Sequence, residues 1–281
     1  MSHLPSSAES AAHTDLRAAD GATARVYHDG AQVATWTPAG ETASRLFVSD
    51  RARYGDGQCI RGGIPVIFPQ FGTTGPLRTH GFARWQRWTL IEVTTGPDGA
   101  HGRWGLTDSA TTRAEWPYPF SAELTVQVGG AALIVGLAVT NGGTLPFTFT
   151  AALHPYLSVA DAYACEVVGL MGTRYRDMLD GNREHDALDV ALPITGALDR
   201  IYFDTAPLLE LRERGRTLRL EKTGFPDAVV WNPGVPGTVS RDDFAPGDEH
   251  HMLCVEAAAI GTPITLGAGA TWHGTQRFEA R

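Results

Sequence analysis

One carboxylate stands inside an apolar run, Met252-Leu253-Cys254-Val255-Glu256-Ala257-Ala258-Ala259. An unpaired buried carboxylate is costly, so Glu256 must face a cavity or a charged partner, and such a placement suits proton transfer. A salt-bridged structural glutamate is the plain alternative. A histidine offers the complementary group. Within residues 147–156, Phe147, Phe149, Ala151 and Leu153 share one face of a period-two segment, and Thr148, Thr150, Ala152 and His154 share the other. Pro155 stops the ladder. The imidazole therefore ends a strand beside a loop mouth, a rigid mount for a general acid. The neighbouring threonines would satisfy the same histidine in a purely structural role.

Two further segments supply cations. In Ile60-Arg61-Gly62-Gly63-Ile64-Pro65 an arginine precedes a glycine pair. Glycine lets backbone approach a ligand closely, and guanidinium offers a planar donor fork to phosphate or vicinal hydroxyls. A turn with a solvated arginine is the bland reading. The stretch Arg78-Thr79-His80-Gly81-Phe82-Ala83-Arg84-Trp85 gathers imidazole, guanidinium and aromatic groups in a loop that should enter a strand over residues 85–93. Sugar sites use this mixture, with rings against C–H patches and polar groups on hydroxyls. Arg84 stacked on Trp85 at the surface is the alternative. Asp199-Arg200-Ile201-Tyr202 and Val230-Trp231-Asn232-Pro233 suit either a polyol or ordinary turn chemistry. His250-His251 is a poor chelate, because neighbours on a strand point to opposite faces.

The elements that must hold these groups read as strands. Residues 25–36 form a hairpin around Asp29-Gly30. Phe120, Ala122, Leu124, Val126 and Val128 alternate with polar residues, as a half-buried strand does. Residues 133–140 are apolar on both faces and should lie centrally. Residues 147–153, 208–212, 217–221, 228–231, 252–258 and 271–278 complete the series, and no segment carries a sustained helical stripe. The 32 glycines and 17 prolines punctuate these short strands. An all-β fold follows, a large antiparallel sandwich or barrel. Residues 1–20, rich in Ser, Ala and His, read as a flexible tail, and residues 21–281 as a single catalytic domain.

Composition narrows the partners. The chain has 281 residues, with Lys plus Arg at 23 and Asp plus Glu at 31, a formal net charge of −8. That balance argues against nucleic acid as a partner but leaves room for a small anion held by local arginines. No run approaches the roughly 20 apolar residues needed to span a bilayer, so no membrane partner is expected. Cys59, Cys165 and Cys254 are widely spaced, which suits free thiols in a reducing cytoplasm and gives no zinc or disulfide pattern. Walker, dinucleotide-binding, zinc-protease and serine-hydrolase motifs are absent.

The blocks Arg61-Gly62-Gly63-Ile64-Pro65, Phe68-Pro69-Gln70-Phe71-Gly72, His80-Gly81-Phe82-Ala83-Arg84, Leu153-His154-Pro155-Tyr156, Asp199-Arg200-Ile201-Tyr202, Val230-Trp231-Asn232-Pro233 and Cys254-Val255-Glu256 occur in one order along the chain. In this the sequence resembles the aldose 1-epimerase (mutarotase) superfamily, and more closely its branch acting on hexose 6-phosphates. The resemblance implies a galactose-mutarotase-like β-sandwich with the site in a groove on one sheet. It implies that His154 and Glu256 are the catalytic pair, that Arg61 and Arg84 bind a phosphorylated sugar, and that Asp199, His80 and Trp231 contact the sugar. Two positions depart from the family pattern. Thr79 stands where relatives often have Gln, which weakens its assignment as a sugar contact. Gly234 replaces a bulky residue after Trp-Asn-Pro, which suggests a more open groove wall.

The implied reaction interconverts the α and β anomers of a D-hexose 6-phosphate, with Glu256 taking the O1 proton and protonated His154 supplying one to the ring oxygen. No cofactor or metal is expected. The expected partner is a small-molecule sugar phosphate, and the expected assembly is a monomer or weak homo-oligomer. Three other readings use the same residues differently. They are an epimerase of unphosphorylated aldoses, a non-catalytic carbohydrate-binding protein, and a glycoside hydrolase, which would need two carboxylates flanking one bond.

Overall fold

Alternation of apolar and polar side chains yields strands through most of the chain. The computed structural model describes residues 11–55 and 57–281, and their strands form three sheets. A small sheet holds β1 (His13–Arg17), β2 (Thr23–Tyr27) and β3 (Gln32–Thr37) in that order. A second sheet runs, in spatial order, β13 (Arg183–Asp186), β12 (Arg174–Asp177), β15 (Leu198–Phe203), β18 (Asp227–Asn232), β19 (Met252–Leu266), β9 (Phe147–Leu153) and β4 (Val66–Ile67), and β10 (Tyr156–Ser158) also pairs with β19. The third runs β14 (Ala191–Pro193), β11 (Glu166–Val168), β16 (Leu208–Glu213), β17 (Arg216–Thr223), β20 (Thr271–Ala280), β8 (Ala132–Asn141), β7 (Phe120–Gly129), β6 (Gly99–Thr107) and β5 (Thr89–Gly96). Pairing between neighbouring strands is antiparallel throughout, for example β18 with β19, β19 with β9, and β7 with β8.

The two large sheets pack face to face, as an antiparallel sandwich does. Leu124 and Val126 of β7, Phe149 and Leu153 of β9, Val255 and Ala257 of β19, and Phe278 of β20 share one core. Phe149 meets Trp272 edge-on at 5.7 Å, and the Gln276 amide of β20 donates to the Val255 carbonyl of β19 at 3.0 Å.

Residues of the other parity on the second sheet point away from that core. Ala152, Ile201, Val229 and Ala258 form a smaller outer cluster with Ile67 and Phe71. Asp199, Trp231 and Glu256 share this parity, so one sheet face carries all three. Register then brings them together. Asp199 pairs with Trp231, Trp231 with Cys254, Cys254 with Tyr156, and Val229 with Glu256. Ala257 pairs with Leu153, so the next step beyond β9 sets His154 beside Glu256.

The loop carrying Arg61 crosses other backbone closely. Gly62 (φ +130°) and Gly63 (φ +60°) adopt conformations that side chains rarely take, and a Cβ there would collide with the carbonyl oxygens of Phe47 and Val33. Arg61 is thus delivered from a crossing that only glycine permits.

The structure differs from the sequence reading in several places. Of the anticipated tail, residues 1–10 lie outside the described residues, whereas His13–Arg17 form β1 because Leu16 is buried in the core and Asp15 pairs with Arg25 at 2.7 Å. The strand anticipated over residues 85–93 begins only at Thr89. Ala83–Trp85 instead forms a 3₁₀ turn, and the Trp88 indole donates to the Ala83 carbonyl at 3.0 Å. β11 to β14 are three or four residues each, too short to show a period. No helix among the described residues is long and apolar enough to cross a membrane.

Gly62→Ala is expected to cost at least ~2 kcal/mol of stability, through strain and the Phe47 collision together. Urea denaturation measures it, and a loss below ~0.5 kcal/mol would mean that the crossing relaxes freely.

Candidate active site

A groove of about 370 Å³ opens on the outer face of the second sheet. All eight residues that the sequence singled out, Arg61, Thr79, His80, Arg84, His154, Asp199, Trp231 and Glu256, line it. They come from six separate parts of the chain, so the fold alone assembles them.

At its floor His154 Nε2 lies 3.2 Å from Glu256 Oε1. His154 is 7% exposed and Glu256 1%. Burial disfavours charge on each. It holds His154 well below the usual imidazole value, aided by His80 and by Arg84 and Arg61, and raises Glu256 well above the usual carboxylate value, aided by Asp199. His154 Nδ1 and Glu256 Oε2 are both buried and have no hydrogen-bond partner among the described residues. Buried polar atoms are normally satisfied, and both atoms belong to residues that line the groove.

Neighbours fix this pair. The Tyr156 ring stacks on the His154 imidazole at 5.1 Å and 13°, and Trp231 meets it edge-on at 5.9 Å. His80 approaches His154 edge-on at 5.6 Å. Its Nδ1 accepts from the Gly72 N–H at 3.2 Å, so Nε2 carries the proton of the neutral ring. Burial first, then Arg84 and Arg61, lower His80 to about 3. Across the groove, burial and the nearby Asp177 raise Asp199 to about 6.

The cationic wall is built from distant residues. Arg61 donates from Nε and Nη2 to Asp243 Oδ2 at 3.1 and 2.9 Å, and from Nη1 to the Tyr156 hydroxyl at 2.9 Å. Burial opposes its charge, but Tyr156 and Asp243 outweigh that and hold its pKa above the ordinary guanidinium value. Arg84 donates from Nη2 to the Thr79 carbonyl at 2.9 Å, and its Nε is buried without a partner among the described residues. The Arg84 guanidinium also lies over Trp85 at 5.4 Å, so the stacked pair and the groove position coexist.

The sequence reading missed Phe71, Tyr156 and Arg241 as lining residues, and Asp243 and Phe244 behind Arg61. Tyr156 was visible only as part of Leu-His-Pro-Tyr. Arg241-Asp242-Asp243-Phe244 looks like any charged surface loop. Gly234 does not open the groove wall as expected. It is buried at φ +58°, a Cβ there would meet Ala197, and it is not among the lining residues.

The chain is similar to known proteins over most of its length. The family profile of aldose 1-epimerase matches residues 13–279. A protein of Cenchrus ciliaris named "Putative glucose-6-phosphate 1-epimerase" is 34% identical over 276 residues, 94% of this chain and 83% of its own. A protein of the same name from Escherichia coli K12 is 31% identical over 233 residues, 82% of this chain and 77% of its own. The crystal structure of a "putative mutarotase" from Salmonella typhimurium matches with a TM-score of 0.85 at 27% identity, covering 92% of this chain and 87% of that one.

Asp199 yields a pH-dependent expectation. Its folded pKa of about 6 lies above the ordinary 3.8, so the folded state binds the proton more tightly. Its contribution is therefore most favourable below pH 3.8 and is lost as pH rises through 6. Asp199→Asn is expected to stabilise the protein at pH 7.5 by roughly 1–2 kcal/mol, discounted for its partial exposure, with the gain shrinking towards pH 4. Urea denaturation at the two pH values tests this, and an equal gain at both would contradict it.

Proposed function

The chain belongs to the aldose 1-epimerase family and is an isomerase of sugar anomers, and from that premise we propose that its substrate is a D-hexose 6-phosphate such as glucose 6-phosphate. The observation that carries the reading is a buried His154–Glu256 pair facing two arginines in one groove. Arg61 and Arg84 take the phosphate through charge-assisted hydrogen bonds. Asp199, His80, Thr79 and Trp231 bind the sugar hydroxyls and ring. The relatives named for glucose-6-phosphate 1-epimerase activity support the same substrate. The unpaired thiols Cys59, Cys165 and Cys254 suit a cytoplasmic location.

Ring opening of a cyclic hemiacetal removes a proton from O1 and adds one to the ring oxygen. Rotation about C1–C2 and reclosure then give the other anomer. The buried pair carries one proton between its two members, and low dielectric favours the neutral arrangement. With that proton on Glu256 Oε1 and donated to His154 Nε2, the imidazole hydrogen sits on Nδ1. The two free atoms then have opposite characters, since Glu256 Oε2 accepts and His154 Nδ1 donates. Glu256 Oε2 takes the O1 proton, the Oε1 proton passes to Nε2, and Nδ1 gives its proton to the ring oxygen. Protons balance, no net charge is created in the buried site, and reclosure runs the same transfers backwards. Each member of such a pair contributes roughly 10²–10⁴-fold.

Anomer-exchange NMR with glucose 6-phosphate, galactose 6-phosphate and glucose tests the reading. Glu256→Gln is expected to slow exchange by at least ~10²-fold, and exchange as fast as wild type would remove Glu256 from catalysis. Arg84→Ala is expected to raise KM for glucose 6-phosphate about tenfold more than for glucose, about the strength of one charge-assisted bond. Equal effects on both sugars would exclude phosphate recognition there. Because burial holds His154 below its ordinary 6.5, the acid limb of kcat should fall below pH 6.5. A rate already halved above that pH would contradict the neutral pair.

A further inference from the structure

We propose that Asp243 is a positioning residue that, with Tyr156, fixes Arg61 as a preassembled anion receptor, and that this lock sets the preference for a phosphorylated over a free sugar. The inference rests on the sugar-phosphate reading above.

Arginine is long and rotamer-rich, and ordering it at the moment of binding is costly. Arg61 is held by side chains of the protein itself. Asp243 Oδ2 receives two of its N–H groups, at 3.1 and 2.9 Å, and Tyr156 receives a third at 2.9 Å. The Phe244 ring supports the guanidinium from 4.8 Å. Guanidinium has five N–H donors. Three are committed here, and one remains on each terminal nitrogen, a pair suited to two phosphate oxygens. The side chain keeps 22% of its surface exposed and lines the groove.

The loop that carries Asp243 is itself held. Phe244 is 1% exposed and packs near Trp231 at 6.4 Å. Ala245 N–H donates to Ser49 Oγ at 3.2 Å and to Asp248 Oδ2 at 2.8 Å. Asp242 pairs with Arg53 at 2.6 Å. Asp243 is not a lining residue, so it acts through Arg61. The chain of contacts continues to the reacting groups, because Tyr156, which accepts from Arg61, also stacks on His154. Tyr156 thereby shares one support between the anion receptor and the imidazole.

The placement carries an electrostatic cost. A carboxylate behind Arg61 lessens the attraction that the groove exerts on an anion. Position and charge therefore pull in opposite directions, and two substitutions separate them. Both Arg61 bonds converge on one oxygen, so the amide oxygen of Asp243→Asn can accept both while the charge is removed. Asp243→Ala removes position and charge together.

Isothermal titration with inorganic phosphate and anomer-exchange kinetics with glucose 6-phosphate and glucose read the lock. Asp243→Asn is expected to bind phosphate within threefold of wild type or more tightly. Asp243→Ala is expected to bind about tenfold more weakly, with KM for glucose 6-phosphate rising in step and KM for glucose moving less than threefold. Asp243→Ala that binds phosphate as well as wild type does, or that raises both KM values equally, overturns the positioning role. Wild type that binds no phosphate and treats both sugars alike overturns the sugar-phosphate reading itself. Wild type that binds phosphate while Asp243→Ala leaves that affinity unaltered overturns the lock alone.

Discussion

The rest of the site depends on two ionisable side chains held 3.2 Å apart with almost no access to water. Either group alone in that position would carry an unsatisfied charge or be driven towards its neutral form, the imidazole by losing a proton and the carboxylate by gaining one. Side by side, Nε2 of one and Oε1 of the other lie within hydrogen-bond distance, and burial disfavours charge on both. This arrangement sets demands on the sheet. β19 must run between β18 and the β9–β10 edge so that Glu256 meets the end of β9, and its residues sharing the face of Glu256 must be small enough to leave a groove, as Cys254 and Ala258 are. Tyr156 and Trp231 then close the sides of the imidazole with apolar surface.

The parts of this site that were legible in the sequence are those whose chemistry clashes with their local pattern. Glu256 stood out as a carboxylate in an apolar run, and His154 as a histidine ending an alternating strand before a proline. Both follow from local burial rules. Parity also predicted that His154 and the Thr148–Thr150 face would be distinct from the Phe147–Phe149 face, and the core respects that division. The cross-strand contact between His154 and Glu256 was not legible, because register between segments a hundred residues apart is set by the pairing of the whole sheet. The family resemblance implied a joint role for them, which their spacing in the chain did not.

What the sequence concealed is of one kind. Asp243 is 182 residues from Arg61, and nothing in Arg241-Asp242-Asp243-Phe244 distinguishes a clamp from a solvated loop. β1 was hidden because five residues with a single fully buried leucine show no period. The Gly234 departure misled in the opposite direction. A small residue after Trp-Asn-Pro suggests an open wall, but its missing side chain is matched by Ala197 on an adjacent segment, away from the groove. Supporting residues of a site are read from packing, whereas reacting residues announce themselves by being out of place.

The charge balance follows the same logic at a larger scale. A net charge of −8 would seem to repel a dianionic ligand. Exposed carboxylates, however, act over a Debye length of about 8 Å at physiological ionic strength, whereas buried or partly buried groups are screened much less. Inside the groove the local balance differs from the global one. Burial raises Glu256 and lowers His80 and His154, so charge on all three is disfavoured, and among the described residues the other carboxylate lining the wall is Asp199, against Arg61, Arg84 and Arg241. Asp243 offsets part of Arg61 but from behind, where its field reaches the ligand only past the guanidinium. The groove therefore presents three guanidinium groups at its wall, while beneath them desolvation disfavours charge on His154 and Glu256.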